Sequence, residues 1–274
     1  MASDSTLITN LLNHLYGIDV SKYNASFLNK SLQKRITETH CNSAEEYRSF
    51  MQKNNEEAKS LIDSLQISYS EFFRNPITFA VLERIILPSL ILRKKNTSHK
   101  EIRIWSAACA AGQESYSLAI LLDELKAAKR NKLNFRIFAT DQSEEQIKEA
   151  QDGKYSATAL NNLNLKRLKQ WFSKHGDTYS VKPELKKSID FSTFDLFSKQ
   201  LGCPPTSIFG DFDLVICSNL LFYYQPKYQK IILEKATCSL AKGGYIIVGE
   251  AERDILTKHH YQEVFPQSGI FQKN

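Results

Sequence analysis

The chain has 274 residues, 42% of them hydrophobic and 24% charged, and its 36 Lys and Arg against 30 Asp and Glu leave a net charge of +6. Those figures describe an ordinary globular chain with room for one large and one small domain. They argue against nucleic acid as a partner, because the basic residues are spread along the chain rather than gathered in a stripe with aromatics. The longest apolar run, 85–92, is broken by Pro88 and Ser89 and falls far short of a membrane span. Residues 1–20 lack a basic start and a long apolar block, so no secretory signal is expected. The five cysteines (Cys41, Cys109, Cys203, Cys217, Cys238) form no CxxC pair and no metal spacing, as expected of reduced thiols in a cytosol.

Residues 7–64 read as helical throughout. Leu28, Leu32 and Ile36 share one stripe, and Ser43 followed by Glu45 and Glu46 reads as a helix cap leading to Phe50 and Met51 on an apolar face. A linker near 65–70 leads into SEFFRNP (70–76), where Pro76 interrupts any helix entering it, and 79–92 is again helical. From Glu101 the pattern alternates. Strands are predicted at 101–107, 135–140, 189–194, 212–217 and 244–249, with helices near 115–128, 143–152, 158–175 and 227–241. FDLVICSN (212–219) is apolar on both faces, as a central parallel strand is. Lys242, Gly243 and Gly244 read as a helix stop and turn. Residues 173–188, with Gly176 and Asp177 at a turn, read as a small hairpin or an irregular loop inserted beside the sheet. Such alternation predicts a doubly wound α/β sheet.

One stretch carries chemistry. RIWSAACAAGQESYSLAILLDEL (103–125) is a buried strand, a small-residue loop and a helix, and FRIFATD (135–141) is a second strand ending in an acid. A helix N-terminus favours an anionic ligand group, and a carboxylate at the strand tip can accept from ribose hydroxyls. The pair points to a nucleoside-bearing cofactor at the carboxyl ends of parallel strands. No GxGxxG is present, which disfavours dinucleotide oxidoreduction.

The order of SEFFRNP, RIWSAACAAGQESYSLA, FATD, DFSTFDLF, FDLVICSNLLFYY and KGGYIIVGEAE resembles the chemotaxis-receptor methyltransferase family, usually called CheR, over about residues 20–255. The resemblance implies a Rossmann-like S-adenosylmethionine-dependent domain at 67–274 with a small β insertion, preceded by a small all-helical domain and linker at 1–66. It implies methylation of glutamates on the cytoplasmic domain of chemoreceptors, by a cytoplasmic monomer without membrane insertion. Carried over by motif, Ser68, Ser70 and Arg74 fall where the family's linker meets the cofactor, and a guanidinium can fork onto the methionyl carboxylate. Glu114 matches the glutamate that faces the methionyl ammonium, and Asp141 matches the ribose-binding acid. The alternative for Glu114 is a first-turn acid favoured by the helix dipole, and for Asp141 a helix N-cap. Asp195 and Leu196 stand where an Asn-Leu pair contacts adenine. Ser218 and Asn219 match an Arg-Asn pair, and Tyr223 the tyrosine after it, with Arg74 and Tyr223 positioning the reaction.

The sequence departs from the family pattern in four ways. Asp195 can accept from the adenine amino group but cannot donate to a ring nitrogen. Ser218 removes a positive charge beside the reaction centre. Residues 1–66 hold seven Lys and Arg against eight Asp and Glu, so docking on an acidic receptor surface would be weak. The 173–188 insertion is too short for the paired glycines that grip a receptor tail, so tail tethering is not expected. Two other readings stay open: a methyltransferase with a different acceptor, and a module that binds S-adenosylmethionine or S-adenosylhomocysteine without turnover.

Overall fold

The chain divides into two compact units, one of Met1–Ile67 with Phe222–Lys230, the other of Ser68–Leu221 with Ile231–Asn274. A computed structural model describes residues 4–65, 69–95, 97, 100–129, 134–207 and 209–272. The domain boundary expected at 66/67 lies outside the described residues. The return of Phe222–Lys230 to the first unit is a feature that a division into contiguous halves does not provide for.

In the first unit, polar caps cut the helical stretch into four. Helix α1 (Asp4–Tyr16) ends before Gly17, α2 (Ala25–Glu38) starts where the Asn24 side chain accepts from the Phe27 N–H, and α4 (Asn55–Ser64) is capped by Asn54. Helix α3 (Ala44–Lys53) carries the expected cap: Ser43 Oγ accepts from the Glu46 N–H at 3.1 Å while the Glu46 carboxylate accepts from the Asn42 N–H at 2.7 Å. Leu12, Leu32, Tyr47, Met51 and Leu61 are buried. Phe50 is not, since neighbouring residues on a helix point about 100° apart and Met51 takes the inward position. Glu57 is buried too, held by two hydrogen bonds from Arg35 (2.8 and 2.6 Å) and one from Tyr47 (2.7 Å). The return segment packs through stacked Tyr23 and Tyr224 rings and a 2.8 Å bond from the Asn24 N–H to the Tyr223 carbonyl.

The second unit opens with α5 (Pro76–Val81), a wide π turn (Leu82–Ile86) and α6 (Leu87–Lys95). The π turn lies immediately before the two-residue step to Pro88, so a ring with no N–H to give sits in a continuing helix. There follow β1 (Glu101–Ser106), α7 (Gln113–Lys129), β2 (Asn134–Asp141), α8 (Glu144–Asp152), β3 (Lys154–Ser156), α9 (Leu165–Trp171), β4 (Phe172–His175), β5 (Thr178–Val181), α10 (Pro183–Lys186), β6 (Ile189–Thr193), β7 (Phe212–Ile216), α11 (Pro226–Cys238), β8 (Leu240–Ile247), α12 (Arg253–Lys258), β9 (Gln262–Glu263) and β10 (Ile270–Gln272). Helix α11 begins in the return segment and ends in the second unit. The main sheet has the order β6-β2-β1-β7-β8-β10-β9, parallel from β6 to β8 and antiparallel at β10 and β9. This is the Rossmann-like α/β arrangement. From β1 the strands are added outward to one side (β2, β6) and then from β7 to the other (β8), which makes the carboxyl ends of β1 and β7 the switch point where such sheets bind ligands.

Three expectations are corrected. The helix predicted at 158–175 is a 3-10 turn (Thr158–Leu160) and the short α9, after which the chain turns into β4. That strand pairs with β5 around Gly176, and β3 adds a third strand, so the insertion is a small sheet of order β3-β5-β4. Lys242, Gly243 and Gly244 are not a turn between helix and strand. They lie inside β8 at a register shift opposite Phe212 and Leu214, and Gly243 (φ +71°) lets the extra residues bulge out. No helix among the described residues is long and apolar enough to cross a membrane.

Candidate active site

Along the carboxyl edge of the sheet, the sequence-predicted residues fall in spatial order. Ser218 and Asn219 follow β7, Glu114 opens the helix after β1, Asp141 ends β2, and Asp195 and Leu196 lie just beyond β6. Four adjacent strands at about 4.8 Å spacing cover roughly 14 Å, the reach of an extended nucleoside with an amino-acid arm.

Part of this edge is a pocket. It opens to solvent, and its walls include Ser70, Glu71, Arg74, Ala108, Glu114, Ser218 and Asn219. Arg74 is fixed from the backbone side. Phe72 and Phe73 are buried on one flank, and the Phe73 N–H donates to Ser117 Oγ at 3.0 Å. Phe73, Asn75, Ala110 and Asn219 all have positive φ (50°, 60°, 45° and 59°), unfavourable for side-chain-bearing residues. Such strain gathers at functional sites. The guanidinium carbon stands 5.3 Å from the Tyr69 ring, and Arg74 makes no ion pair among the described residues.

Glu114 faces the pocket with its carboxylate densely surrounded. Burial is the main cause that lifts its pKa to about 7, and the negative charge of Glu252 adds to it; a 2.7 Å bond from Ser106 Oγ and the charge of Arg74 oppose the rise. On either side of it, Gln113 Oε1 and Ser115 Oγ are buried without a partner among the described residues. One cation and two acids, Glu71 and Glu114, therefore line a pocket that suits a ligand with a carboxylate at one point and positive charge at others.

Asp141 is buried and accepts from the Ala110 and Ser143 N–H groups, both at 3.0 Å. Burial raises its pKa against those bonds. The N-cap of α8 is Ser143, whose side chain accepts from the Gln146 N–H. Asp141 instead ties the small-residue loop after β1 to the tip of β2, keeping acceptor capacity beyond those bonds. Gly112 closes that loop at φ +90°. A Cβ there would stand 3.0 Å from Ala150 Cβ and 3.2 Å from Tyr116 Cε2.

Not every predicted residue converges on the pocket. Asp195 is exposed and accepts from the Phe197 N–H at 2.9 Å, and Leu196 is buried; neither lines the pocket. Ser68 lies outside the described residues. Tyr223 belongs to the first unit, its ring edge-on to Phe27 with centroids 4.7 Å apart. Glu71 and Glu252 were missed. Glu71 sits in the SEFFRNP motif and Glu252 ends KGGYIIVGEAE, so both lay within recognised motifs; what the sequence does not announce is that Glu252 bonds only to backbone N–H groups. Among the described residues no group of three His, Cys, Asp or Glu could hold a metal ion.

Fold and pocket together define a Rossmann-like methyltransferase domain for a nucleoside-bearing zwitterion. Family comparison is specific: the CheR methyltransferase SAM binding domain matches residues 68–270 and the CheR methyltransferase all-alpha domain matches 3–65. The chain is 32% identical over 214 residues to "Chemotaxis protein methyltransferase 1" of Pseudomonas aeruginosa, covering 77% of this chain and 75% of that one. It is 30% identical over 251 residues to "Chemotaxis protein methyltransferase" of Borreliella burgdorferi, covering 90% and 87%. The chain belongs to the CheR methyltransferase family, and it is an S-adenosylmethionine-dependent methyltransferase.

Proposed function

We propose that this chain methylates glutamate side chains on the cytoplasmic domain of chemoreceptors, as a cytoplasmic monomer made of a helical domain (1–66) and a catalytic domain (67–274). The observation that carries the cofactor's orientation is the pairing of opposite charges on one pocket wall: Arg74 without an ion pair among the described residues, and Glu114 with a carboxylate that ionises only near pH 7. In this reading Arg74 holds the methionyl carboxylate of S-adenosylmethionine, Glu114 the ammonium, and Asp141 the ribose. Ser68 and Ser70 contribute from the linker, Asp195 and Leu196 meet the adenine beyond β6, and Ser218 and Asn219 border the methyl group. Strand order supports this, because it sets those residues along one line.

When bound, the cofactor supplies a methyl group activated by its sulfonium. A glutamate acceptor has an unperturbed pKa of about 4.3 and is ionised at neutral pH, so no side chain here has to act as general base. The work left to the protein is alignment and exclusion of water. Arg74 and Tyr223 are assigned to positioning. The short insertion, with Gly176 at its hairpin turn, supports recognition of the receptor body without its tail.

Calorimetric titration with S-adenosylhomocysteine tests the pocket. Arg74→Ala should weaken binding roughly 10- to 100-fold, the worth of a charge-assisted hydrogen bond. Equal affinity removes Arg74 from the site. Incubation with radiolabelled cofactor and receptor-bearing membranes should label a discrete membrane band, at equal rate with tail-deleted receptors. Cofactor bound with no label transferred would sink the transferase reading.

A further inference from the structure

Glu252 is fully buried, lies outside the pocket wall, and makes no ion pair among the described residues. A buried carboxylate in that position is costly unless its oxygens are satisfied. Here they are saturated by main chain. Oε2 accepts from the N–H groups of Asn219 and Gly249, both at 2.7 Å, and Oε1 from those of Leu220 (2.6 Å) and Leu221 (2.5 Å). Three consecutive N–H groups converge on one side chain at the turn that follows β7. The chain must wrap round the carboxylate, and Asn219 takes φ +59° to do so. The same turn leaves no space: a Cβ on Gly249 would lie 2.9 Å from Asn219 Oδ1 and 3.0 Å from Glu252 Oε2. The Asn219 side chain is thus seated against Gly249 on one side and faces the pocket on the other.

We propose that Glu252 is a positioning residue of the methyl-transfer site, gripping residues 219–221 from behind and so setting where Asn219 meets the ligand. The inference rests on the reading of the pocket as the cofactor site. Glu252 acts there by a second route, through space. Its charge reaches Glu114 and reinforces the upward shift of that carboxylate's pKa. Other ionisable groups near Glu114 are Arg74, which opposes the shift, Glu71 on the wall of the same pocket, and the thiols of Cys109 and Cys217, both kept neutral by burial.

The test is titration of the full chain with S-adenosylhomocysteine from pH 6 to 8.5, comparing wild type, Glu252→Gln and Gly249→Ala, with thermal melts alongside. Glutamine offers one oxygen where four donors need two. Glu252→Gln should bind at least tenfold more weakly, and the pH midpoint of binding should fall because the charge near Glu114 is gone. Gly249→Ala displaces Asn219 but keeps that charge, so it should weaken binding with the midpoint unmoved. A folded Glu252→Gln with wild-type affinity and midpoint overturns the inference, as does a lowered melting temperature with both unchanged. If Glu252→Gln does not fold, Gly249→Ala decides: wild-type affinity there overturns the inference. Absence of binding by the wild type would instead refute the cofactor reading, and the inference with it.

Discussion

Glu114→Gln separates the cost of a buried charge from its use. In the unliganded protein the Glu114 pKa rises from 4.5 to about 7, mainly through burial. For an acid whose folded pKa lies above its unfolded one, the folded state holds the extra proton between the two values. Stability is therefore full below about pH 4.5, is lost as pH rises through about 7, and levels off above that. At about 1.4 kcal/mol per pH unit, the 2.5-unit gap corresponds to roughly 3 kcal/mol. Glutamine cannot titrate and keeps an oxygen for the bond that Ser106 Oγ donates at 2.7 Å. Between pH 5 and pH 8 the variant should thus gain about 2–3 kcal/mol on the wild type, or roughly 4–6 °C in melting temperature for a chain of this size. Whatever a buried amide costs is the same at both pH values and drops out. Binding should move the other way. An amide cannot balance an ammonium, so S-adenosylhomocysteine should bind about 10- to 100-fold more weakly at pH 8. That loss should shrink as pH falls below 7, where the wild-type carboxylate is itself protonated. Thermal melts and calorimetry at pH 5, 6.5 and 8 give both curves. A stability difference flat across that range would mean that Glu114 does not titrate there, and undiminished affinity at pH 8 would place the ligand's ammonium elsewhere.

Gly112→Ala forces a Cβ against Ala150 Cβ and Tyr116 at φ +90°, and should cost about 1–3 kcal/mol in urea unfolding together with cofactor affinity. In the helical unit, Arg35→Ala leaves the buried Glu57 carboxylate with Tyr47 alone, a loss of about 3–5 kcal/mol visible by circular dichroism. Tyr223→Phe follows from the family resemblance: turnover should fall with cofactor affinity unchanged, and unchanged turnover would remove the hydroxyl from the chemistry.

What could be read in the sequence was whatever depends on side-chain pattern. The unit from β1 to β2 was legible because two apolar strands flank a run of small residues that only a tight loop uses. Ser43 with Glu46 was legible because a capping pair has fixed spacing. The features that were not legible depend on backbone geometry or on distant chain. Strand β4 consists of Phe172, Ser173, Lys174 and His175, which carry no clean alternation, and it is a strand because β5 supplies its hydrogen bonds. The strand β8 was shortened because Gly243 and Gly244 read as punctuation, whereas the register with β7 absorbs them as a bulge. Phe222–Lys230 joins the helical unit through contacts with Ser21, Tyr23 and Asn24, some two hundred residues away in sequence.

Two of the departures from the family pattern, Asp195 and Ser218, have different physical weight. Asp195 is exposed beyond β6, already accepts the Phe197 N–H, and faces water that can solvate a carboxylate. Exchanging an amide for an acid there costs the fold little and, in the proposed reading, changes only which adenine edge the side chain can meet. Ser218 is on the pocket wall, where Arg74 is the only cationic side chain among the described lining residues. If that guanidinium is committed to the cofactor's carboxylate, the incoming glutamate meets no second positive charge from the described wall. Its carboxylate must then be aligned by neutral donors such as the Ser218 hydroxyl and the Asn219 amide, which are weaker per bond but hold the nucleophile less tightly in its ground state. Ser218→Arg resolves which effect governs. If ground-state capture limits the reaction, the variant lowers KM for the receptor at constant kcat; if release of the nucleophile limits it, kcat falls as KM falls. A change in neither would show that the acceptor does not pass Ser218.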